Sequence, residues 1–390
     1  MARDRNHLLR ARGRVFVPFL LAGAPGGVTR RGRIALRIAS RARSPAEEAR
    51  RVIGGGSGDF LQELRARARS ARRRLVFPEG TERRVHDSLH DALSSQLYQP
   101  ILLGPTKTVR DGLRSAGIDP ERVEILDSES LDRVERAAAR LLELHEDRGL
   151  TATDARDLAR DPLQQAALMV RDGEADGSVA GSVRTTADVV RAGLRGIGTG
   201  EGIDTVSSSF YMVFEHPHRL APSVLTFTDA GVVPDPTSEQ LAQIGVAAAR
   251  ARRLVVDDEP RVAFLSYSTD GSAEGPAVSK VRQALARFQQ LAPEVAADGE
   301  LQVDAALVPG VAGRKAPASV LAGTANVLVF PDLNAANIAY KLVQHLAGAL
   351  ALGPILQGLA KPYNDLSRGA SPTAIVAVAC ITAVMVEEAQ

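Results

Sequence analysis

Residues 74–103 read RLVFPEGTERRVHDSLHDALSSQLYQPILL. The apolar run at 74–78 ends at Pro78 and Gly80 and reads as a strand. Residues 82–95 read as a helix, and 100–103 as a second strand. Strand, helix and strand in this order form the unit of a mainly parallel sheet covered by helices. The alternation continues outward. A helix at 60–72 precedes the stretch. After it come a helix at 106–116, a strand at 123–127, a long helix at 131–148, a helix at 162–173, a short strand at 177–180 and a helix at 186–196. Thr185, with Asp188 three residues later, marks the start of that last helix.

The second half repeats the style. Residues 205–214 and 223–228 are strand-like, 236–253 form a long helix, and 261–266 a buried strand. Val278, Val281, Leu285 and Phe288 recur on one helical face. A strand at 325–330 leads into a helix at 334–347. The last helix starts at Pro372, with Ser371 as its N-cap, and runs to about 388. Two α/β domains with a cleft between them follow as the expected architecture, and such clefts hold ligands.

Composition excludes several classes. Of 390 residues, 45% are hydrophobic and 24% charged, which suits a soluble protein with room for two cores. Cys380 is the sole cysteine, so neither an intrachain disulfide nor a cysteine metal cluster can form. It lies in an apolar run and reads as a buried structural thiol. No apolar run reaches the length of a membrane span. The net charge of +2 is unevenly spread. Residues 1–58 hold thirteen Arg against Asp4, Glu47 and Glu48, a net +10, and the rest of the chain carries −8. That acidic body argues against nucleic-acid binding. Residues 1–58 read as a basic, disordered extension, dispensable to fold and activity.

Four loops are dense in small and polar residues. Residues 176–182, running into Arg184, Thr185 and Thr186, are a Gly/Ser loop before a capped helix and would present free backbone N–H groups to an anion. Residues 266–276 follow a buried strand with hydroxyls and glycines. Residues 330–341 bring Asn334, Asn337, Tyr340 and Lys341 to a helix start, where Asn334 serves equally well as an N-cap. Residues 364–372 set Ser367, Arg368 and Gly369 just before a helix N-terminus, where a guanidinium beside free N–H groups suits a phosphate or oxyanion. His216 and His218 have no evident third ligand and read as a solvated turn.

Taken in order, these segments resemble the phosphate acetyltransferase family. The matching residues include Leu75-Val76-Phe77-Pro78-Glu79-Gly80, Asp161-Pro162-Leu163, Ala180-Gly181-Ser182 with Thr185-Thr186-Ala187-Asp188, and Pro234-Asp235-Pro236-Thr237. Phe330-Pro331-Asp332-Leu333-Asn334, Gly353-Pro354-Ile355-Leu356-Gln357-Gly358-Leu359 and Asn364-Asp365-Leu366-Ser367-Arg368-Gly369 complete the series, which starts near Asp59. The resemblance implies a fold like that of isocitrate and isopropylmalate dehydrogenases, with 59–205 plus 355–390 as one domain and 206–354 as the other. It implies a cytoplasmic homodimer. Its substrates and products would be acetyl-CoA, CoA, phosphate and acetyl phosphate, with no metal and no cofactor beyond CoA as substrate. Arg368 would bind phosphate and the carbonyl oxygen, and Ser367 would hydrogen-bond the sulfur or the phosphate. Arg191 would bind CoA, while Ser182, Thr186, Asn337, Tyr340 and Lys341 would line the substrate site.

Two positions depart from the family pattern. The family's proposed base is an Asp where this chain has Ala374, and an Arg implicated in CoA binding aligns with His145, with Arg148 three residues on. Two readings follow. One is an active phosphate acetyltransferase whose sequence has drifted. The other is a catalytically weak acyl-CoA- and phosphate-binding homologue with a sensing or partner role.

Overall fold

The computed structural model describes residues 57–214 and 223–386. The basic segment up to residue 56 and the pair His216 and His218 lie outside the described residues. Among the described residues eleven strands occur, most of them separated by helices: β1 (Arg74–Phe77), β2 (Gln99–Leu103), β3 (Glu124–Leu126), β4 (Gly177–Ala180), β5 (Ser207–Val213), β6 (Val224–Thr228), β7 (Arg261–Leu265), β8 (Ala296–Leu301), β9 (Val327–Val329), β10 (Leu350–Gln357) and β11 (Tyr363–Asp365).

They form two sheets. The first has the order β11-β4-β1-β2-β3 with every pair parallel. The second has the order β10-β5-β6-β9-β7-β8, and its β10–β5 and β5–β6 pairs are antiparallel. The remaining three pairs there are parallel. The α/β reading therefore holds, with an antiparallel edge that alternation alone does not reveal. Helices cover the central strands on both faces, which is why Leu75, Val76, Phe77, Ile101, Leu102 and Leu103 are all buried whichever way they point.

The helix Pro372–Met385 holds much of this together. It is apolar all round rather than striped, and every residue from Ile375 to Val384 is buried. It shares one core cluster with Leu75 and Phe77 of the first sheet and with Tyr211, Val213, Leu352 and Ile355 of the second. Each fully buried aliphatic side chain there contributes about 1.5–3 kcal/mol relative to exposure. Cys380 is buried in this helix, and desolvation pushes its thiol up to about 12, as suits a structural residue.

Local chemistry sets the helix ends. Thr185 and Asp188 form a reciprocal capping box, as do Thr237 and Gln240. Ser371 accepts from the Ala374 N–H, with Pro372 in the first turn. The cap before Leu333–Leu346 is Asp332 rather than Asn334, because the Asp332 carboxylate accepts from the Ala335 N–H. The helix read over 131–148 is α-helical only to His145 and ends in a 3-10 turn, Glu146–Arg148, closed by left-handed Gly149. No helix among the described residues is long and apolar enough to cross a membrane.

Candidate functional site

The loop after β4 is held from below by one carboxylate. Glu79, in the turn after β1, accepts from the backbone N–H groups of Ser182 at 2.7 Å, Val183 at 2.9 Å and Arg184 at 2.7 Å, and also from the Ser182 hydroxyl. The Thr185 N–H goes to Asp188. These are the donors that the sequence offered to an anion. They are already committed to Glu79 and Asp188, so this loop is a scaffold rather than an anion cradle.

That scaffold aims two side chains. The Arg184 guanidinium forms a two-pronged pair with Asp161 at 3.1 and 3.0 Å. The Thr186 hydroxyl donates to Asp365 Oδ2 at 2.5 Å. Arg84 stitches this loop to the next by donating to the carbonyls of Ser182 at 2.8 Å and Arg368 at 2.7 Å.

The opposite wall comes from the second sheet. Asp229, at the end of β6, is buried and accepts from Ser208 Oγ at 2.7 Å and from the N–H groups of Gly231 and Val233. Burial pushes its carboxyl above the ordinary range, against the pull of these donors. The bonds fix the turn at Ala230 and Gly231. Tyr340 stacks on Phe210 with ring centroids 4.1 Å apart, and Asn337 Nδ2 reaches the Ala230 carbonyl at 3.4 Å.

Between these walls is a cavity of about 220 Å³. Arg184, Thr186, Leu366, Ser367 and Arg368 line it from the first sheet's loops. Phe210, Ala230, Gly231, Asn337, Tyr340 and Pro354 line it from the second sheet's side. Two guanidinium groups thus enter one small space. Arg184 is neutralised by Asp161, whereas the Arg368 side chain makes no hydrogen bond or ion pair among the described residues. An unpaired guanidinium beside a hydroxyl, in a small cavity whose exposed wall is mostly polar, suits an anion with a polarised carbonyl.

Of the residues singled out from sequence, Thr186, Asn337, Tyr340, Ser367 and Arg368 meet at this cavity. Ser182 lies beneath it on Glu79. Arg191 is 62% exposed and pairs with Asp188 at 2.5 Å. Lys341 is exposed, its ammonium 4.8 Å from the Tyr340 ring centre. The segment 266–276 is elsewhere: Ser268 Oγ, the Gly271 N–H and Arg282 all converge on Glu300. His145 hydrogen-bonds the Arg195 carbonyl at 2.8 Å.

Sequence reasoning missed Glu79, Arg184, Asp229 and Asp365 as individuals. Asp365 is fully buried at the end of β11, and desolvation lifts its carboxyl to about 7. The Thr186 hydroxyl opposes that rise, the Glu79 charge adds to it, and the Arg368 charge reduces it. The only sequence signal for Asp365 was its place two residues before Ser367.

Known proteins resemble this chain over most of its length. Residues 59–383 match the family model described as Phosphate acetyl/butaryl transferase. The chain belongs to this family. It is 43% identical over 328 residues to a phosphate acetyltransferase of Acetivibrio thermocellus, covering 84% of this chain and 98% of that one. It is 42% identical over 323 residues to that of Paracoccus denitrificans, covering 83% and 98%. Among solved structures, a phosphotransacetylase from Streptococcus pyogenes superposes with a TM-score of 0.79 at 38% identity, covering 85% of this chain and 99% of that one. The EutD phosphotransacetylase from Staphylococcus aureus gives 0.76 at 34%, covering 85% and 100%. Family membership thus rests on the whole body from residue 59 onward, including both walls of the cavity.

Proposed function

We propose that this chain is a phosphate acetyltransferase, moving an acetyl group reversibly between coenzyme A and inorganic phosphate. The observation that carries the reading is the unpaired Arg368 guanidinium beside Ser367 in a cavity suited to a small acyl phosphate. Arg368 binds the phosphate and takes up charge on the carbonyl oxygen as the CoA sulfur attacks, the point where a preorganised donor lowers the barrier most. Ser367 hydrogen-bonds the sulfur or the phosphate. Tyr340, flat on Phe210, and Asn337 bound the acyl side. Arg191, exposed on its helix, meets the phosphates of CoA. Ser182 acts through Glu79 and Lys341 through the Tyr340 ring.

We further propose two α/β domains, 59–205 plus 355–390 and 206–354, with an isocitrate/isopropylmalate dehydrogenase-like arrangement and this cavity as the floor of the cleft. The lining drawn from both sheets supports that division, although β10 carries the second sheet on to Gln357. Ile338, Leu342 and Leu346, exposed along one face of the helix Leu333–Leu346, support a homodimer. The site of action is the cytoplasm. A chain starting at Asp59 is expected to keep both its melting temperature and its turnover, because the family match begins there. A large loss of either would make the basic segment structural.

The test of function is direct. Purified protein is mixed with acetyl-CoA and phosphate, and release of the CoA thiol is followed against a control without enzyme. Binding of acetyl-CoA by calorimetry without turnover would favour the weak-homologue reading that Ala374 suggests.

Ala374 gives a second test. Its N–H is the one that Ser371 caps at 3.2 Å, so it occupies the third position of the helix. An Asp there is worth about 0.3–1 kcal/mol from the helix dipole alone. It also supplies a carboxylate ionised well below neutrality. Ala374→Asp is therefore expected to raise turnover most at pH 6, by about tenfold, and little at pH 8, where a thiol of pKa about 8.5 already ionises appreciably. A gain in melting temperature with no gain in rate at pH 6 would leave only the capping role.

A further inference from the structure

Asp365 is a buried carboxyl without an obvious structural purpose. It ends β11, is fully buried and does not line the cavity. Its Oδ1 has no partner at good hydrogen-bond geometry among the described residues, only the pull of the adjoining Leu366 N–H, although buried polar atoms are nearly always paired. That oxygen occupies the space left by the missing side chain of Gly181, where even a Cβ would collide with it. Gly181 also has φ +92, which a residue with a side chain rarely adopts. The backbone has thus been shaped to admit an acid in a place where ionisation is costly. Its other oxygen, Oδ2, accepts from the Thr186 hydroxyl at 2.5 Å, and Thr186 does line the cavity.

A hydroxyl has one proton to give and two lone pairs to receive. The Thr186 proton is committed to Asp365, so its lone pairs are what it can offer to the cavity. While Asp365 is ionised, Thr186 can accept from a donor there and give nothing. Resting on the reading of the chain as a phosphate acetyltransferase, we propose that Thr186 and Asp365 form the proton route of the reaction, taking the place of a carboxylate at position 374. Thr186 touches the substrate, and Asp365 acts through it.

When CoA attacks acetyl phosphate, the S–H proton passes to Thr186 Oγ as the Thr186 proton passes to Asp365 Oδ2. The carbon–sulfur bond forms, the bond from carbon to the phosphate oxygen breaks, and Asp365 gives the proton back through Thr186 to that oxygen, so that phosphate leaves toward Arg368 as the hydrogen phosphate dianion. In the reverse direction the proton of hydrogen phosphate passes through Thr186 to Asp365 as its oxygen attacks acetyl-CoA, and it returns the same way to the departing sulfur. One proton moves each way, and Asp365 is ionised again at the end of each turnover.

The carboxyl is suited to both directions. Burial lifts it to about 7, so neither form dominates at neutral pH. The charged groups on the surrounding elements are Glu79 after β1, Arg184 with its partner Asp161, and Arg368 on its own loop. With CoA and acetyl phosphate as substrates, the ionised acid is the working form. It increases as pH rises through about 7, so the rate should rise along a limb with that midpoint.

The test is a set of pH–rate profiles from pH 5.5 to 9 for wild type, Thr186→Val, Thr186→Ser and Asp365→Asn, with CoA and acetyl phosphate as substrates. Thr186→Val should lose about a hundred-fold or more in kcat at pH 7, the range of general-base assistance, with the KM for acetyl phosphate within about threefold. Its rising limb should move to about 8.5, following the free thiol. Asp365→Asn should do the same. Thr186→Ser, which keeps the hydroxyl, should keep the limb near 7. If Asp365→Asn fails to fold, Thr186→Val and Thr186→Ser carry the comparison alone. A Thr186→Val enzyme slowed equally at every pH, with its limb unmoved, would make Thr186 merely structural and overturn the route. A wild type with no turnover at any pH would overturn the activity itself, and the route with it.

Discussion

Arg368→Ala is expected to lower turnover by about a hundred- to a thousand-fold, the usual cost of losing one donor to a developing oxyanion. The reasoning is spatial. Both Arg184 and Arg368 enter the cavity, but Arg184 is held by Asp161 and cannot turn to a ligand without breaking that pair. Among the described residues Arg368 has no such partner, so its guanidinium fork is free to meet phosphate. The fold should barely respond. The Arg368 side chain is exposed, and the contact that fixes the segment is made by the backbone, where Arg84 donates to the Arg368 carbonyl at 2.7 Å. Arg368→Lys should recover only part of the rate, since an ammonium keeps the charge and loses the planar fork. Phosphate affinity, measured by product inhibition, should fall alongside the rate. An alanine variant with near-normal turnover would show that the reacting carbonyl lies elsewhere.

Much of the fold was legible because its strongest elements are local. The strands Arg74–Phe77 and Arg261–Leu265 are short apolar runs bounded by turn residues, and the helices between them carry their own caps. The elements that escaped notice lack that signature. β8 contains Asp298 and Gly299, residue types that are depleted in strands. β10 contains Gly353 and Pro354, and its pairing with β5 shifts register between Leu352 and Ile355 to accommodate them. β11 is three residues long and two of them are polar, Asn364 and Asp365. It is a strand because β4 lies beside it and Asn364 is satisfied by Thr382 at 2.9 Å and by the Leu356 N–H at 2.9 Å. No local pattern encodes those contacts. The site divides in the same way. Ser367 and Arg368 advertise themselves as an anion pair before a helix. Glu79 and Asp365 do not, since a lone acid gains meaning only from what folding sets beside it. The Gly/Ser loop misleads for this reason: its free donors are real in the sequence, and a carboxylate some hundred residues earlier consumes them.

Glu79→Ala should therefore affect stability and chemistry together. Four donors would lose their acceptor at once: three backbone N–H groups and the Ser182 hydroxyl. Val183 is exposed and its N–H can turn to water, but Ser182 is buried, and each of its stranded donors costs about 1–3 kcal/mol. The expected loss is about 2–6 kcal/mol, a large share of an ordinary protein's stability and visible as a drop of several degrees in melting temperature. Glu79→Gln should be damaging too, because one end of the amide must set its own N–H groups against donors. Turnover should fall with the loop, since Thr186 is positioned by the residues that Glu79 holds. The pH dependence separates this from general damage. The Glu79 charge raises the Asp365 carboxyl, so removing that charge lowers it, and the ionised form appears at a lower pH. Whatever turnover survives in Glu79→Ala should then rise along a limb shifted to the acid side of 7. In Thr186→Val the limb should move the opposite way. An alanine variant that melts with wild type would refute the scaffold role of Glu79. One that melts early with its limb unmoved would show that its charge does not reach Asp365.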